Sequence, residues 1–378
     1  MRVRVVHVIW DLASTGGAEK LFLHFARNLD SRRFDTSFIS LMGKGEIGNT
    51  LEALGFPVYA LEVILKKAWN PWITLKLYQL FRKLNPDIVH VHLNYSGILA
   101  ARMAKTSVLV NHIHNIYPGK SKVKIAMENI LFRLPDVSIA VSSNAREFTW
   151  KQLRAPKLPI EVVRNGIDVV SLEVTKTKAE VRKELSIDDD EQIILTVGSL
   201  TDQKGQWHLI SAYARLNLLL PRTRLVIVGK GPLEGSLRNQ VLSLGLEDRI
   251  LFTGLRNDVP NLLNSASMFV LPSLWEGIPL ALLEAMYFRL PCIVSEVGGI
   301  GEIIENGMDG ILVEPADETA LCVSMESLVK NKLLRESLGE EANKKVRRCF
   351  TIDRTMKEIE HLYMKLLDNR KQLAEPVQ

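Results

Sequence analysis

The chain of 378 residues has the length of two ordinary domains, and its 47% apolar and 24% charged residues place it among globular proteins. That composition excludes disorder, collagen and coiled coil, and either half is long enough to bury a core without staples. The formal charge of +5 hides an asymmetry: residues 1–168 hold 23 Lys and Arg against 13 Asp and Glu, the remainder 25 against 30, so the first half suits an anionic partner.

The chain opens on a basic and then apolar stretch. Its apolar run is short, is broken by His7 and Asp11, and leads into a glycine turn, which reads as a first strand and not as a signal peptide. Further apolar runs rich in Val and Ile follow at 36–42, 87–93, 107–113 and 136–142, with helical patterns between them; these read as buried parallel strands. After Asn165-Gly166-Ile167-Asp168 and a charged helical stretch the pattern restarts, with runs at 192–199, 224–231, 249–254, 267–273, 291–296 and 310–315. Strand–helix alternation in both halves predicts an α/β protein of two doubly wound parallel-sheet domains, 1–168 and 169–350. Residues 351–378 read as a charged helical tail without a core of its own, expected to pack back on the first domain. The acidic run Asp188-Asp189-Asp190-Glu191 precedes a strand, which makes it a solvated loop and not a metal site. No stretch of about 18 apolar residues exists to span a membrane as a helix. Cys292, Cys322 and Cys349 lie far apart with no C-x-x-C pair, which excludes a disulfide framework or thiolate zinc site and fits a reducing, cytoplasmic setting.

The segment richest in chemistry is PSLWEGIPLALLEAM, residues 272–286. It follows a strand, and Pro279 suits the first turn of a helix, where its missing N–H costs nothing. Gly277 lets a ligand approach the backbone, and the free amides near Ile278, Pro279, Leu280 and residue 281, with the helix dipole, make an anion site. Glu276 falls in the loop before the helix and Glu284 inside it, a spacing at which two carboxylates reach different parts of one ligand. The plain structural alternative is a helix capped by Glu276 with Glu284 on its solvated face.

Glu276, seven intervening residues and Glu284 form an E-x7-E motif. Taken with VGSLTDQKGQ (197–206), GKGP (229–232), FTGLRNDVPNLL (252–263) and SEVGGIGEIIENGMDG (295–310), it resembles glycosyltransferase family 4. The resemblance covers about 192–315 almost end to end. In the first half it covers Gly16-Gly17-Ala18-Glu19, the region of His114-Asn115 and Asn165-Gly166-Ile167-Asp168. It implies a GT-B fold, two Rossmann-like domains facing a central cleft, and retaining transfer from a nucleotide diphosphate sugar. By the same resemblance Lys204 pairs with the donor diphosphate, Glu284 accepts from the ribose hydroxyls, and Glu276 lies by the transferred sugar. His114 reaches the donor sugar from the first domain, and Gly16 and Gly17 form the acceptor-side loop that faces the phosphates. The family often has an arginine where this chain has Ser199, a departure that leaves the phosphate more dependent on Lys204 and the helix N-terminus; Arg256 is the other cation able to contribute, or a surface residue.

Some readings stay open on the sequence alone. His112, two residues before His114, shares its face in a strand, and His90 and His92 on another strand pack or border the acceptor cleft. The stretch 63–84 interleaves Lys66, Lys67, Lys76, Arg82 and Lys83 with Trp69, Trp72 and Phe81, which fits a surface resting on anionic headgroups and fits equally an amphipathic helix packed on its sheet. No nucleic-acid recognition module is visible, and the G-x-G-x-x-G spacing of a dinucleotide site is absent.

The expected function is therefore retaining transfer of a hexosyl group, UDP-sugar favoured, to a saccharide or lipid-linked hydroxyl in polysaccharide, lipopolysaccharide or glycolipid synthesis. Neither cofactor nor metal is expected, because a lysine and a helix terminus hold the phosphate. The protein is expected in the cytoplasm, with peripheral contact to an anionic membrane and no nucleic-acid partner. The alternatives are another GT-B enzyme, such as a UDP-sugar epimerase, and a non-catalytic, membrane-associated subunit that binds nucleotide sugar.

Overall fold

The computed structural model describes residues 2–12, 17–63, 70–92 and 94–374, which fall into two units, Met1–Arg164 with Ile352–Gln378 and Asn165–Thr351. The changeover at Arg164/Asn165 comes four residues before the boundary expected at 168.

The first unit holds seven parallel strands, β1 (Val3–Ile9), β2 (Phe34–Ser40), β3 (Val58–Ala60), β4 (Ile88–His92), β5 (Val108–Ile113), β6 (Val137–Ala140) and β7 (Ile160–Val162), in the order β3-β2-β1-β4-β5-β6-β7. All of β4 and β5 is buried, as strands covered on both faces must be. The two edge strands, β3 and β7, have three residues each, too few for a periodicity to announce them. The final helix Ile352–Ala374 covers one face of this sheet. Ile352, Met356, Ile359 and Tyr363 recur at helical spacing and enter the same core as Val5, Phe22, Phe25, Ile88 and Val108. Thr355 Oγ1 donates to the Arg164 carbonyl at 2.8 Å, and Glu360 Oε1 accepts from the Asp30 amide at 2.9 Å.

The second unit has six parallel strands, β8 (Gln192–Val197), β9 (Thr223–Val228), β10 (Ile250–Gly254), β11 (Met268–Leu271), β12 (Cys292–Ser295) and β13 (Ile311–Val313), ordered β10-β9-β8-β11-β12-β13. Ile194, Leu209, Tyr213, Leu225, Ile227 and Met268 anchor its core. The acidic run before β8 is not wholly solvated, contrary to expectation. Glu191 is buried, with Arg224 Nε at 3.0 Å and Arg249 Nη1 at 2.9 Å from its Oε1; a carboxylate at a strand end is tolerated in the interior because two guanidiniums compensate it.

In each sheet the strand order reverses beside the first strand, between β1 and β4 in one unit and β8 and β11 in the other. Such reversals open a crevice at the carboxyl ends of the strands, where ligands of open α/β sheets bind. The helix Pro71–Leu84 is started by Asn70, whose side chain accepts from the Trp72 amide at 3.0 Å. It buries Ile73, Leu77 and Phe81 and leaves Trp72 three-quarters exposed; Lys66, Lys67 and Trp69 lie outside the described residues. Among the described residues no helix is long and apolar enough to cross a membrane.

Candidate active site

The loops after β8, β9, β11 and β12 meet at the reversal point of the second sheet, and glycine makes the meeting possible at two places. Gly229 follows β9 with φ +139°, and a Cβ there would lie 2.0 Å from the Gly198 carbonyl oxygen. Gly298 follows β12 with φ +55°, and a Cβ there would lie 1.8 Å from the Glu276 carbonyl oxygen. Side chains are excluded by both conformation and space.

Lys204 ends the short turn Asp202–Lys204 after β8, and Glu276 lies in the loop after β11. The structure brings them together: Lys204 Nζ donates to Glu276 Oε1 at 2.5 Å. The aliphatic stem of Lys204 runs past Gly198, 3.4 Å from where a Cβ would stand. Glu276 is only 4% exposed, and it also accepts from Ser273 Oγ at 2.8 Å and Gln203 Nε2 at 3.3 Å. Gln203 is fixed in turn by the Trp275 carbonyl, 3.0 Å from its Nε2, and by the Leu274 amide, 2.7 Å from its own carbonyl. A buried carboxylate with three donors is compensated and held in one orientation. Glu276 is thus a member of the Lys204 cluster and not a helix cap. Gln203 and Ser273 were not anticipated, although each sits within three residues of a motif residue and carries the right donor.

The helix Leu280–Tyr287 begins one residue later than expected, with Pro279 at the capping position in extended conformation. The Pro279 carbonyl accepts from the amides of Leu282 and Leu283 at 3.2 and 3.4 Å, so the amides without an intrahelical acceptor are those of Leu280 and Ala281. Gly277, Ile278 and Leu280 are buried, and the Ile278 carbonyl accepts from Asn165 Nδ2 at 3.4 Å. Glu284 is buried on this helix at 7% exposure, not on a solvated face. Ser199 is exposed, and its carbonyl accepts from Gln206 Nε2 at 3.0 Å.

Arg256 does not join this group. Its guanidinium grips Asp258 through Nε and Nη2, each at 2.7 Å, and reaches Glu184 at 2.5 Å, tying the helix Lys178–Leu185 to the start of Val259–Ser265. The guanidinium holds the Asp258 carboxyl down at about 2 against the opposing effect of burial. Of the glycine pair in the first unit, Gly16 lies outside the described residues and Gly17 begins the helix Gly17–Asn28.

At the reversal point of the first sheet stand histidines. β1, β4 and β5 place His7 beside His90 and His92 beside His112 in register, and His114 follows β5. His7 Nδ1 lies 3.2 Å from His92 Nε2, and His92 Nδ1 lies 2.8 Å from His114 Nε2. In parallel, Tyr363 Oη lies 2.5 Å from His90 Nδ1, and His90 Nε2 lies 3.2 Å from His112 Nδ1. Burial pushes His7 down to about 3 and His114 to about 4, and it holds His90, His92 and His112 well below the ordinary imidazole value, so the rings are neutral near pH 7. Two trios, His7/His90/His92 and His92/His112/His114, each bring one nitrogen per ring within 4.8 Å of the others, close enough to ligate a cation. The rings, however, stack with centroids 4.2 Å apart for His112/His114 and 5.0 Å for His92/His114, at 13° and 12° between planes. Imidazoles sharing one ion radiate from it, and separations of 2.8–3.2 Å are those of hydrogen bonds.

Comparison with known proteins agrees with this division of the chain. Residues 15–170 match the profile described as Glycosyltransferase Family 4, and residues 177–345 that described as Glycosyl transferases group 1. The chain is 29% identical over 386 residues, 98% of each chain, to the UDP-Gal:alpha-D-GlcNAc-diphosphoundecaprenol alpha-1,3-galactosyltransferase of Escherichia coli. It is 28% identical to the N-acetyl-alpha-D-glucosaminyl L-malate synthase of Bacillus anthracis, over 78% of this chain and 79% of that one. The solved structure of Anabaena Alr3699/HepE in complex with UDP-glucose shares its fold with a TM-score of 0.85 at 21% identity, covering 96% of this chain and all of that one. With both profiles matched in order and a Rossmann-like parallel sheet in each unit, the chain belongs to glycosyltransferase family 4 and is a glycosyltransferase of the GT-B type.

Proposed function

We propose that the protein transfers a hexosyl group from a UDP-sugar to a hydroxyl of a saccharide carried on a lipid diphosphate, with retention of anomeric configuration. The observation that carries this reading is the Lys204–Glu276 pair, with Glu276 four residues ahead of the helix Leu280–Tyr287: a cation and a helix start are the groups that a diphosphate needs. Likeness over the full length to a galactosyltransferase whose name gives UDP-Gal and a diphosphoundecaprenol-linked acceptor supports the choice of substrates.

In this scheme Lys204 and the amides of Leu280 and Ala281 hold the donor diphosphate and stabilise the charge that grows as the bond from C1 to the phosphate oxygen breaks. Glu284 accepts from the ribose hydroxyls. Glu276, already oriented by Ser273 and Gln203, lies by the transferred sugar, and His114 contacts that sugar from the first unit. The acceptor oxygen bonds to C1 on the face that UDP leaves, its proton passing to the departing phosphate oxygen, so products are the retained glycoside and UDP. No metal is required, since lysine and amides supply the positive charge. A lipid-linked acceptor places the protein at the cytoplasmic face of a membrane, where exposed Trp72 and Leu75 beside Lys76, Arg82 and Lys83 fit an anionic surface.

Calorimetric titration with UDP, GDP and ADP, first without metal and then with magnesium, tests the donor side. Metal-independent binding of UDP is expected; binding of GDP or ADP in its place, or only with magnesium, would overturn it. The anomeric proton coupling of the product formed on a synthetic lipid-linked acceptor tests retention.

A further inference from the structure

The buried histidines of the first unit are not accounted for by packing. A neutral imidazole carries one N–H donor and one bare acceptor nitrogen, so each N···N contact in the row His7–His92–His114 fixes which atom of the next ring holds a proton. Only one end of the row needs to be set. Among the described residues His7 Nε2 is buried with no hydrogen-bond partner. A buried N–H without an acceptor is the rarer and costlier state, so Nε2 of His7 is the bare nitrogen and Nδ1 carries the proton. His7 Nδ1–H then donates to His92 Nε2, and His92 Nδ1–H donates to His114 Nε2. His114 is left with its acceptor engaged and its proton on Nδ1. The neighbouring row also terminates on a ring nitrogen without a partner among the described residues, Nε2 of His112, there at the β5 end. Phe22 and Phe25 pack their rings on His7 and His92, and this apolar wall keeps the row dry and its polarity unopposed.

We propose that His7 and His92 form a buried imidazole relay that fixes the tautomer of His114, so that His114 meets its substrate as a hydrogen-bond donor through Nδ1 and not as a general base. His92 and His7 are positioning residues: they act only through His114. The proposal rests on the reading that His114 touches the donor sugar.

The test is long-range proton–nitrogen NMR of the full chain labelled with nitrogen-15 histidine, near pH 7, with His114 assigned by its loss in His114→Ala. In the wild type, His114 is expected to show a protonated Nδ1 and a bare Nε2, a result that needs no altered relay residue to fold. His92→Phe keeps a flat ring among Phe22 and Phe25 and removes both nitrogens. It is expected to release the His114 tautomer and lower kcat about tenfold or more, as loss of outer-shell partners of functional imidazoles does, with UDP affinity unchanged. His92→Asn, whose amide nitrogen takes the place of Nδ1, is expected to restore both the spectrum and most of the rate, which a merely structural role would not do. A proton on His114 Nε2 in the wild type, or an unchanged tautomer and rate in His92→Phe, would overturn the relay. A His114→Ala protein that transfers sugar at the wild-type rate would overturn the sugar contact beneath it, whatever the spectra show.

Discussion

Both sheets reverse their strand order beside the first strand of their unit, between β1 and β4 in one and between β8 and β11 in the other, and the side chains at those two places differ in kind. The first unit gathers His7, His90, His92, His112 and His114, rings that burial keeps neutral and that answer one another's polarity. The second gathers Lys204 and Glu276, full charges that answer each other, with the lysine side chain still 17% exposed. The same topology therefore supplies two crevices and leaves their chemistry to a handful of residues. Neutral rings suit contact with hydroxyls; a cation at a helix start suits a diphosphate.

The comparison predicts unequal responses to acid. A histidine with a folded-state value below its unfolded value near 6.5 binds more protons when unfolded. The stability it contributes is present above pH 6.5 and is lost as pH falls toward the folded value. For His7, held at about 3, the loss by pH 5 is about 2 kcal/mol, and the other buried rings add to it. The second unit contains one histidine, His208. In scanning calorimetry between pH 7 and 5 the transition of the first unit is expected to fall well ahead of that of the second; transitions that fall together would erase the contrast.

Removing the charge of the second crevice is the next largest effect. Lys204→Ala is expected to lower kcat by about a hundredfold or more, the usual consequence of losing a preorganised charge on a leaving group, and a wild-type rate would remove the lysine from the phosphate. Glu284→Gln is expected to weaken UDP binding by about 1–3 kcal/mol through the lost ribose pair, read by calorimetric titration; unchanged affinity would take Glu284 out of the nucleotide site. The smallest effect is assigned to Arg256. Arg256→Ala breaks the tie to Asp258 and Glu184 and is expected to cost about 1 kcal/mol of stability with UDP affinity unaltered. Weaker UDP binding in that variant would return the arginine to the donor site.

Much of this arrangement is legible in the chain. The Val- and Ile-rich runs locate the five central strands of the first sheet and all six of the second, because strands of a parallel sheet covered by helices read as mostly apolar runs. The edge strands β3 (Val-Tyr-Ala) and β7 (Ile-Glu-Val) escape notice because three residues without an unbroken aliphatic run do not stand out, whereas the equally short β13 is Ile-Leu-Val. Glu276, Lys204 and the helix after Pro279 stand out by type and spacing. That Arg256 is bound elsewhere does not show, since its partner Glu184 is 72 residues away in sequence. Nor does Glu191 announce itself as buried, because the arginines that compensate it come from β9 and from just before β10.

The histidines mark the boundary most clearly. The alternation His90-x-His92 and His112-x-His114 sets each pair on one side of the chain wherever it runs extended. The parallel register of β1, β4 and β5 is a tertiary choice, and it alone sets His7 against His92 and His92 against His114. Periodicity is local and is written in the chain, as are the residue types a crevice can use. Which ring meets which, and hence where a proton rests, depends on contacts between residues 22 to 85 positions apart, and only the assembled sheet decides them.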